Sequence, residues 1–304
     1  QIMLRSDTPF GPYEEWHRVL QNNGHPVPFG SSPYQGALVD TQDGDWWYIA
    51  FVNLFPGGRF PVLAPVTWSD GWPNVEFVNG TDWGSTYPYP LPKHSVTPIA
   101  GTDEFTTETL GPQYEWNHNP DNSKWSTGKG LTLSTATVTK DFFMARNTLS
   151  HRILGPKSSA TIELDYSAMK DGDKAGLATF LYDAAWIGIS MTSCGATLQM
   201  VDNIIMNGTD GWHTGTTGDV VASIKVSPKG SVWLRAKADI TRDPAHSAFS
   251  YSTDGINFSG LGSVHHMDNE QLFFVGERYG VFNYATKSLS GKVIVKSFIM
   301  SATD

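Results

Sequence analysis

Residues 37–51 read ALVDTQDGDWWYIAF, and this stretch is typical of a β-hairpin. Apolar residues at 37–39 and an aromatic run at 46–51 flank the turn sequence Asp43-Gly44-Asp45. Gly adopts the positive φ angles of tight turns at little cost, and aromatic residues favour strands. The stretch therefore predicts two antiparallel strands joined at Gly44.

The next segment repeats this design. Residues 59–77, RFPVLAPVTWSDGWPNVEF, place Ser69, Asp70 and Gly71 between two further apolar runs. Consecutive hairpins with aromatic edges are typical of the blades of a β-propeller. We therefore expect propeller-like structure in this part of the chain.

A proline-rich segment follows the hairpins. Residues 86–98, TYPYPLPKHSVTP, contain four prolines, which cannot donate the hydrogen bonds of a β-ladder. Such a segment is predicted to be an extended linker. We therefore expect two domains, residues 1–97 with blades and linker and residues 98–304 as a second domain.

The second domain is predicted to be a β-sandwich. Its sequence contains about ten runs of strand length, many alternating apolar and polar, and no convincing helical period. Many short strands without an internal repeat favour two packed antiparallel sheets over further blades. The runs are LTLSTATVTK, ATIELDY, AGLATFLY, WIGISM, VVASIKVS, VWLRAKADI, AFSYSTDG, LFFVG, YGVFNYAT and KVIVKSFIM.

Composition excludes several classes of function. The 304 residues carry a net charge of −9 and no run of Lys or Arg, which argues against nucleic acid as a partner. No stretch approaches the apolar length of a membrane span. The single Cys194 excludes an internal disulfide, whereas the sequons at Asn79, Asn207 and Asn257 favour a secreted, extracellular protein.

The acidic residues do not suggest a catalytic pair. Most of them are expected in turns or on exposed strand faces. Asp70 and Asp254, for example, precede a glycine in a predicted turn, where a carboxylate usually bonds its own backbone. Asp40 is expected to fix its hairpin, and Glu115 to fix the start of the sandwich. General acid and base catalysis by two carboxyl groups needs one protonated and one ionised group, each held in its own environment. We therefore expect no catalytic carboxylate in this chain.

Several long motifs resemble glycoside hydrolase family 43, which includes arabinofuranosidases and β-xylosidases. They are SDTPFGPYE, QGALVDTQDGDWWYIAF, GGRFPVLAPVTWSDGWP, LGPQYEWNHNPDNSKWS, ARNTLSHRILGP, ATIELDYSAMKDGDKAGL and GVFNYATKS. The resemblance implies an all-β chain: part of a five-bladed β-propeller followed by a concanavalin A-like antiparallel β-sandwich. GHPVPFGSSPYQGALVDT and the YPYPLP linker are most similar to enzymes that remove arabinose from arabinoxylan.

The resemblance also implies where the catalytic residues of the family lie. In the family, SDTPFGPYE lies in the fourth blade and VDTQDGDWW in the fifth, and the three catalytic carboxylates come from the first three blades. We therefore expect the N-terminal blades to be a separate segment or chain that docks here, because about two blades cannot close a ring. The expected substrate is arabinoxylan or a xylo-oligosaccharide.

Two polar residues are candidate substrate ligands by the same resemblance. Arg59 matches an arginine that lines the sugar pocket, where its guanidinium can donate to sugar hydroxyls and lower the pKa of nearby carboxylates. Gln35 stands where many relatives carry a His that points to the propeller channel. The amide of Gln35 is a poor metal ligand, which argues against a calcium ion at this place. A calcium ion in the propeller channel is still compatible with the sequence, and no cofactor is required.

Phe29, Tyr34 and Trp46 are candidates for an aromatic wall against a sugar face. Trp46 and Trp47 are adjacent in a strand and must point to opposite sides, so at most one can face the substrate. Aromatic residues in blades also serve as packing, which remains the alternative for each.

Other groups are predicted to be structural. The histidines show no metal-ligand spacing, and no GxSxG motif is present. The aromatic and polar segment Trp116 to Asn119, with Trp125, either extends a substrate cleft or packs between domains.

The leading hypothesis is that this chain is part of an arabinofuranosidase, an inverting hydrolase that removes α-L-arabinofuranosyl groups from arabinoxylan. A β-xylosidase, a non-catalytic xylan-binding sandwich and a purely structural domain are the alternatives.

Overall fold

The computed structural model describes residues 1–14, 16–19, 24–209, 211–241, 244–268, 270 and 273–302. Contacts divide the chain into two compact units, Gln1–Thr97 and Pro98–Asp304. The regular secondary structure of both units is almost entirely antiparallel strands, which confirms the all-β fold class. Within the described ranges, no helix has the length and hydrophobicity needed to cross a bilayer.

The first unit contains one four-stranded sheet in the order β3-β4-β5-β6 and one two-stranded ladder, β1-β2. The two predicted hairpins are confirmed as β3-β4 and β5-β6. In the described residues, the segment expected to hold two blades thus provides one complete sheet and one short ladder. The strands are Ile2–Met3 (β1), His17–Arg18 (β2), Tyr34–Asp40 (β3), Trp46–Asn53 (β4), Arg59–Ser69 (β5) and Trp72–Val75 (β6).

The two faces of the four-stranded sheet differ in burial. On one face Tyr48 and Ala50 pack with Ala64, Val66 and other apolar residues in a buried cluster. The opposite face, here called the open face, exposes apolar side chains: Val39 is 46% exposed and Ile49 is 44% exposed. The cross-strand register places these residues of the open face together: Ala37, Val39, Ile49, Pro61 and Leu63.

The second unit contains the longer strands and two short 3₁₀ helices, Asn122–Lys124 and Phe142–Met144. Its strands are Gly101–Asp103 (β7), Tyr114–Trp116 (β8), Trp125–Ser126 (β9), Leu131–Ser134 (β10), Leu149–Arg152 (β11), Lys157–Asp165 (β12), Asp173–Phe180 (β13), Asp183–Thr192 (β14), Gly195–Asn207 (β15), His213–Val226 (β16), Ser231–Asp239 (β17), His246–Ser252 (β18), Ser259–Gly260 (β19), His265–His266 (β20), Arg278–Ala285 (β21) and Lys292–Ala302 (β22).

These strands form the two sheets of a sandwich, as the sequence predicts. Among the described residues, one sheet has seven strands in the order β16-β15-β14-β13-β21-β11-β8. The other has nine: β19-β18-β17-β12-β22-β10-β9, with β20 on β18 and β7 on β22. Inward-facing residues of both sheets, such as Ile162, Leu177 and Ile187, make one large buried cluster.

The seven-stranded sheet is covered on both faces in its centre. Ile187 and Ile189 of β14 belong to the cluster between the sheets, whereas Trp186 belongs to a second cluster on the other face. Phe142 and Phe143 of the second 3₁₀ helix cover that other face. Two-sided burial explains why β14 reads as a nearly continuous apolar run rather than an alternating one.

Several details differ from the sequence-based strands, and the short strands β7, β8, β9, β11, β19 and β20 were not predicted. LFFVG does not form a strand at its described residues, and only the first part of LTLSTATVTK, Leu131–Ser134, is a strand. Gly195–Asn207, a strand of 13 residues, was not predicted, because Asp202 and Asn203 interrupt its apolar pattern. The proline-rich residues 86–98 contain no strand, as predicted.

The segment after the linker has packing roles within the second unit. The rings of Trp116 and Trp125 lie 5.1 Å apart. His118 Nε2 lies 2.6 Å from the carbonyl oxygen of Phe143, and Asn117 Oδ1 accepts a hydrogen bond from Arg278. These contacts tie the segment to the seven-stranded sheet.

A pair of glycines sets the approach of β13 and β14. Gly176 and Gly188 are cross-strand partners, and a Cβ added at Gly188 would lie 2.3 Å from the carbonyl oxygen of Ala175. We expect Gly188→Ala to lower the free energy of unfolding by about 1–3 kcal/mol, because backbone must move to accept the methyl group.

Thermal denaturation measures this effect. Gly260→Ala is the matched control, since a Cβ there meets no atom within 4 Å. Equal melting temperatures for the two variants would contradict the close packing of β13 and β14.

Candidate functional site

Four of the five predicted substrate ligands lie near one end of the four-stranded sheet. Tyr34 and Gln35 begin β3, and Arg59 begins β5 opposite Asn53, the last residue of β4. These strand ends are adjacent because β3, β4 and β5 pair in antiparallel order. The sheet therefore brings an aromatic ring, an amide and a guanidinium together at one end of its strands, which is here called the edge around Arg59.

The turn that carries Phe29 is fixed to the same edge. Ser31 N–H donates to the carbonyl oxygen of Asn53 at 2.9 Å, and Asn53 N–H donates to Ser31 Oγ at 2.9 Å. His25 Nδ1 lies 2.8 Å from the carbonyl oxygen of Gly30 within that turn. Phe29 is 75% exposed, so its ring is available to a ligand.

Arg59 packs on two aromatic rings. Its guanidinium carbon lies 4.2 Å from the ring centroid of Phe51 and 6.0 Å from that of Tyr34. The two rings are themselves 4.6 Å apart. Cation–π contacts of this kind hold the planar guanidinium in one orientation while its N–H groups can still donate.

The backbone at two predicted residues is unusual. Phe29 has φ 62° and Gln35 has φ 50°, in the left-handed region that residues other than Gly rarely adopt. The β-ladder is also irregular between Tyr34 and Ala37, on either side of Gln35. Strained backbone of this kind is concentrated at functional sites in proteins. These residues therefore remain the candidates for substrate contact.

Trp46 lies away from this group. It begins β4, seven residues from Asn53, which corresponds to about 23 Å along a strand. Its ring contacts Trp68 edge to face at 5.1 Å. Trp47, on the opposite face, instead lines a pocket of about 360 Å³ together with Trp83 and Tyr87. The structure thus places Trp46 in packing at the far end of the sheet.

In the part of the chain that the structure describes, no three His, Cys, Asp or Glu side chains are grouped as metal ligands. Gln35 offers an amide, whose oxygen can contribute at most one ligand. A calcium ion in the propeller channel stays a prediction.

The second unit contains a buried cluster of ionisable groups that the sequence analysis missed. Glu277 is 1% exposed, and among the described residues neither of its carboxyl oxygens has a hydrogen-bond partner. Its neighbour is the carboxyl group of Asp183, which is also an acceptor unless protonated. Next to this pair, His265 Nδ1 lies 2.7 Å from Asp202 Oδ1, and His265 Nε2 lies 4.0 Å from Asp183 Oδ2.

Burial sets the charge of this cluster. Burial raises the pKa of Glu277 well above its usual 4.5, and the adjacent Asp183 raises it further. Burial also raises the pKa of Asp183, although His265 opposes this effect. Burial raises the pKa of Asp202, but His265, Asn203 and His266 together lower it below its usual value. The pair Asp183 and Glu277 therefore holds a proton more firmly than exposed carboxyl groups do.

No sequence motif connects the members of this cluster. They come from β14, β15, β20 and the residue before β21, so only the sheet topology brings them together. The one local signal is an acidic residue at position 183 inside the apolar run LYDAAWIGI.

The family model, two relatives and two solved structures that match this chain all come from glycoside hydrolases. A family model described as "Beta xylosidase C-terminal Concanavalin A-like domain" matches residues 102–301. A β-xylosidase of Formosa agariphila is 29% identical, over 98% of this chain and 52% of its own length. An α-L-arabinofuranosidase of Bacteroides ovatus is 30% identical, over 58% of this chain and 36% of its own length. The chain spans about half the length of the first of these relatives.

Among solved structures, a GH43 glycoside hydrolase matches with a TM-score of 0.93 and 41% identity, over 99% of this chain and 60% of its own. It is described as an enzyme whose engineered active site displays both endo-xylanase and exo-arabinofuranosidase activity. A bifunctional GH43-CE protein of Bacteroides eggerthii matches with a TM-score of 0.83 and 31% identity, over 100% of this chain and 37% of its own.

The buried carboxyl pair predicts a pH dependence of stability. Because the pKa of Glu277 is raised in the folded state, its contribution is fully present below pH 4.5 and is lost as the pH rises through the raised pKa. In Glu277→Gln the amide can donate to Asp183 at every pH. The difference in free energy of unfolding, variant minus wild type, is therefore expected to increase between about pH 5 and 8. The increase is at most about 1.4 kcal/mol per pH unit.

Chemical denaturation at several pH values measures this difference. Glu108→Gln, at an exposed position, is the control and should leave the pH profile unchanged. Parallel profiles for Glu277→Gln and the wild type would rule out a proton held by the pair.

Proposed function

The chain belongs to glycoside hydrolase family 43, with residues 102–301 as its β-xylosidase-type C-terminal concanavalin A-like domain, and on this basis we propose that it is part of an inverting hydrolase that removes α-L-arabinofuranosyl groups from arabinoxylan. The match to the GH43 glycoside hydrolase at 41% identity over 99% of the chain is the observation that carries this proposal. The edge formed by Tyr34, Phe51 and Arg59 supports it.

In this proposal the chain contributes substrate binding rather than proton transfer. Arg59, fixed over Phe51 at 4.2 Å, donates to hydroxyl groups of the bound sugar. Its positive charge also stabilises the ionised form of a carboxylate placed beside the sugar. Tyr34 and Phe29 offer apolar ring faces to the sugar, and Gln35 offers an amide that can donate and accept.

Hydrolysis with inversion needs two carboxyl groups on opposite sides of the sugar. One protonates the leaving oxygen, and the other removes a proton from the attacking water. We propose that both come from N-terminal propeller blades that pack beside the four-stranded sheet. The open face supports this arrangement, because Val39 and Ile49 expose apolar area where blades of a propeller normally contact each other.

The proposed protein acts outside the cell. The sequon residues Asn79, Asn207 and Asn257 are all exposed in the structure, so each is accessible to glycosylation.

Replacing Arg59 tests the substrate-binding role. We expect Arg59→Lys, in the longest protein that carries this chain, to lower kcat/KM for arabinose release roughly ten- to a hundredfold, because the flat donor fork is lost. Arabinose and xylose released from arabinoxylan and from xylo-oligosaccharides are quantified by chromatography. Arg152→Lys, in strand β11, is the matched control and should keep wild-type rates.

The products distinguish the alternatives. Arabinose as the main product supports the proposal. Xylose as the main product would replace it with a β-xylosidase. Retention on insoluble xylan without release of either sugar would replace it with a binding module.

A further inference from the structure

A pocket of about 370 Å³ lies in the second unit, beside strands β13, β14 and β16. Its volume is within the range of small-molecule sites, about 300–1,000 Å³. The charged side chains that line it are Lys140, Asp171, Lys174 and Lys287, and the hydroxyl side chains are Ser190, Thr192, Thr217 and Thr286. The hydroxyls of Thr192 and Thr286 donate to the carbonyl oxygens of Gly195 and Gly172. None of these residues belongs to the edge around Arg59.

The charge of this pocket is opposite to that of the chain. Three lysines and one aspartate line it, whereas the whole chain carries −9. Lys287 Nζ forms an ion pair with Asp171 Oδ2 at 2.8 Å. In the described residues, Lys140 and Lys174 form no ion pair. The two ammonium groups of Lys140 and Lys174 therefore line the pocket without a carboxylate paired to either of them.

Lys174 is held in an unfavourable environment. It is half-buried in β13, and its ammonium nitrogen lies 5.7 Å from the ring centroid of Trp186. Burial lowers the pKa of Lys174, because the charged form loses hydration and gains no anionic neighbour. A bound anion would supply the missing partner through a charge-assisted hydrogen bond.

Hydroxyl groups complete the lining. Within the described ranges, the hydroxyls of Ser190 and Thr217 have no hydrogen-bond partner. They can donate to or accept from the hydroxyl groups of a sugar ring. The pocket thus combines groups for an anion with groups for a neutral polar ring.

We propose that this pocket binds an acidic saccharide, a sugar that carries a carboxylate such as a uronic acid side group of a plant polysaccharide. The carboxylate lies between Lys140 and Lys174, and the ring hydroxyls contact Ser190 and Thr217. The choice of a sugar as carrier of the charge rests on the proposed function. The pocket would then bind polysaccharide through residues other than those around Arg59.

Isothermal titration calorimetry with two xylo-oligosaccharides of equal length, one bearing a glucuronic acid group and one neutral, tests this proposal. We expect binding of the acidic oligosaccharide to be at least roughly tenfold tighter, and to weaken as salt is raised from 20 to 300 mM or so. Equal affinity for the two, or affinity independent of salt, would overturn it.

Variants locate the binding. We expect Lys174→Met to weaken binding of the acidic oligosaccharide roughly tenfold or more. Lys129→Met, at an exposed position that does not line the pocket, is the matched control. Lys140→Met, which removes an exposed side chain, serves as the second test should Lys174→Met unfold. Wild-type affinity in folded variants at both positions would refute the site.

Two further arms separate the sources of the charge and the two proposals. Inorganic phosphate that binds as tightly as the acidic oligosaccharide would show a general anion site and overturn the saccharide assignment. Arabinose release from uncharged arabinoxylan is measured on the same variants. If the lysine variants lose binding of the acidic oligosaccharide but release arabinose at the wild-type rate, the pocket is separate from the hydrolytic site. Loss of arabinose release in Arg59→Lys tests only the proposed hydrolysis.

Discussion

A β-sheet that is apolar on both faces must be covered on both faces, and this constraint governs both units. At about 25 cal/mol per Å² of apolar surface, an uncovered sheet face forgoes a large part of its stabilisation. In the sandwich the requirement is met within the unit. The nine-stranded sheet covers one face of β14, and Phe142 and Phe143 cover the other. In the described residues of the first unit, the face that carries Tyr48 and Ala50 is covered. The opposite face buries Trp47 but leaves Val39 and Ile49 exposed.

The same constraint connects the fold of the first unit with its proposed function. The strand ends that present Tyr34, Gln35 and Arg59 belong to the sheet whose open face exposes Val39 and Ile49. A neighbour that covers the open face would also stand beside this edge. Proposed catalytic carboxylates and the Arg59 guanidinium would thereby meet at one place, although they derive from different segments.

Local sequence patterns were sufficient for the hairpins and most sandwich strands. Turn residues such as Gly44 and Gly71 and the flanking aromatic runs have a direct physical reading, and both hairpins are confirmed. Patterns failed where tertiary context decides. Gly195–Asn207 is a strand despite its polar interruption, since its neighbours β14 and β16 supply the ladder.

Site prediction divides along the same line. Gln35 and Arg59 came from the family resemblance, and Phe29 and Tyr34 from their aromatic character. The sheet register places Tyr34, Gln35 and Arg59 near one end of the sheet, and the hydrogen bonds between Ser31 and Asn53 hold the turn of Phe29 there. Trp46 shares the aromatic character of these residues, but its position at the far end of β4 could be read only from the strand pairing. The buried pair Asp183 and Glu277 unites residues 94 positions apart, for which no spacing rule exists.

Thiol labelling at the open face tests the central claim most directly. Cys194 is exposed and is the only native thiol, so it reports labelling in every sample. In Ile49→Cys we expect the new thiol to react readily in the 304-residue chain and to be protected in the longest protein that carries this chain, while Cys194 reacts in both. Equal reactivity at position 49 in the two proteins would show that no further segment covers this face.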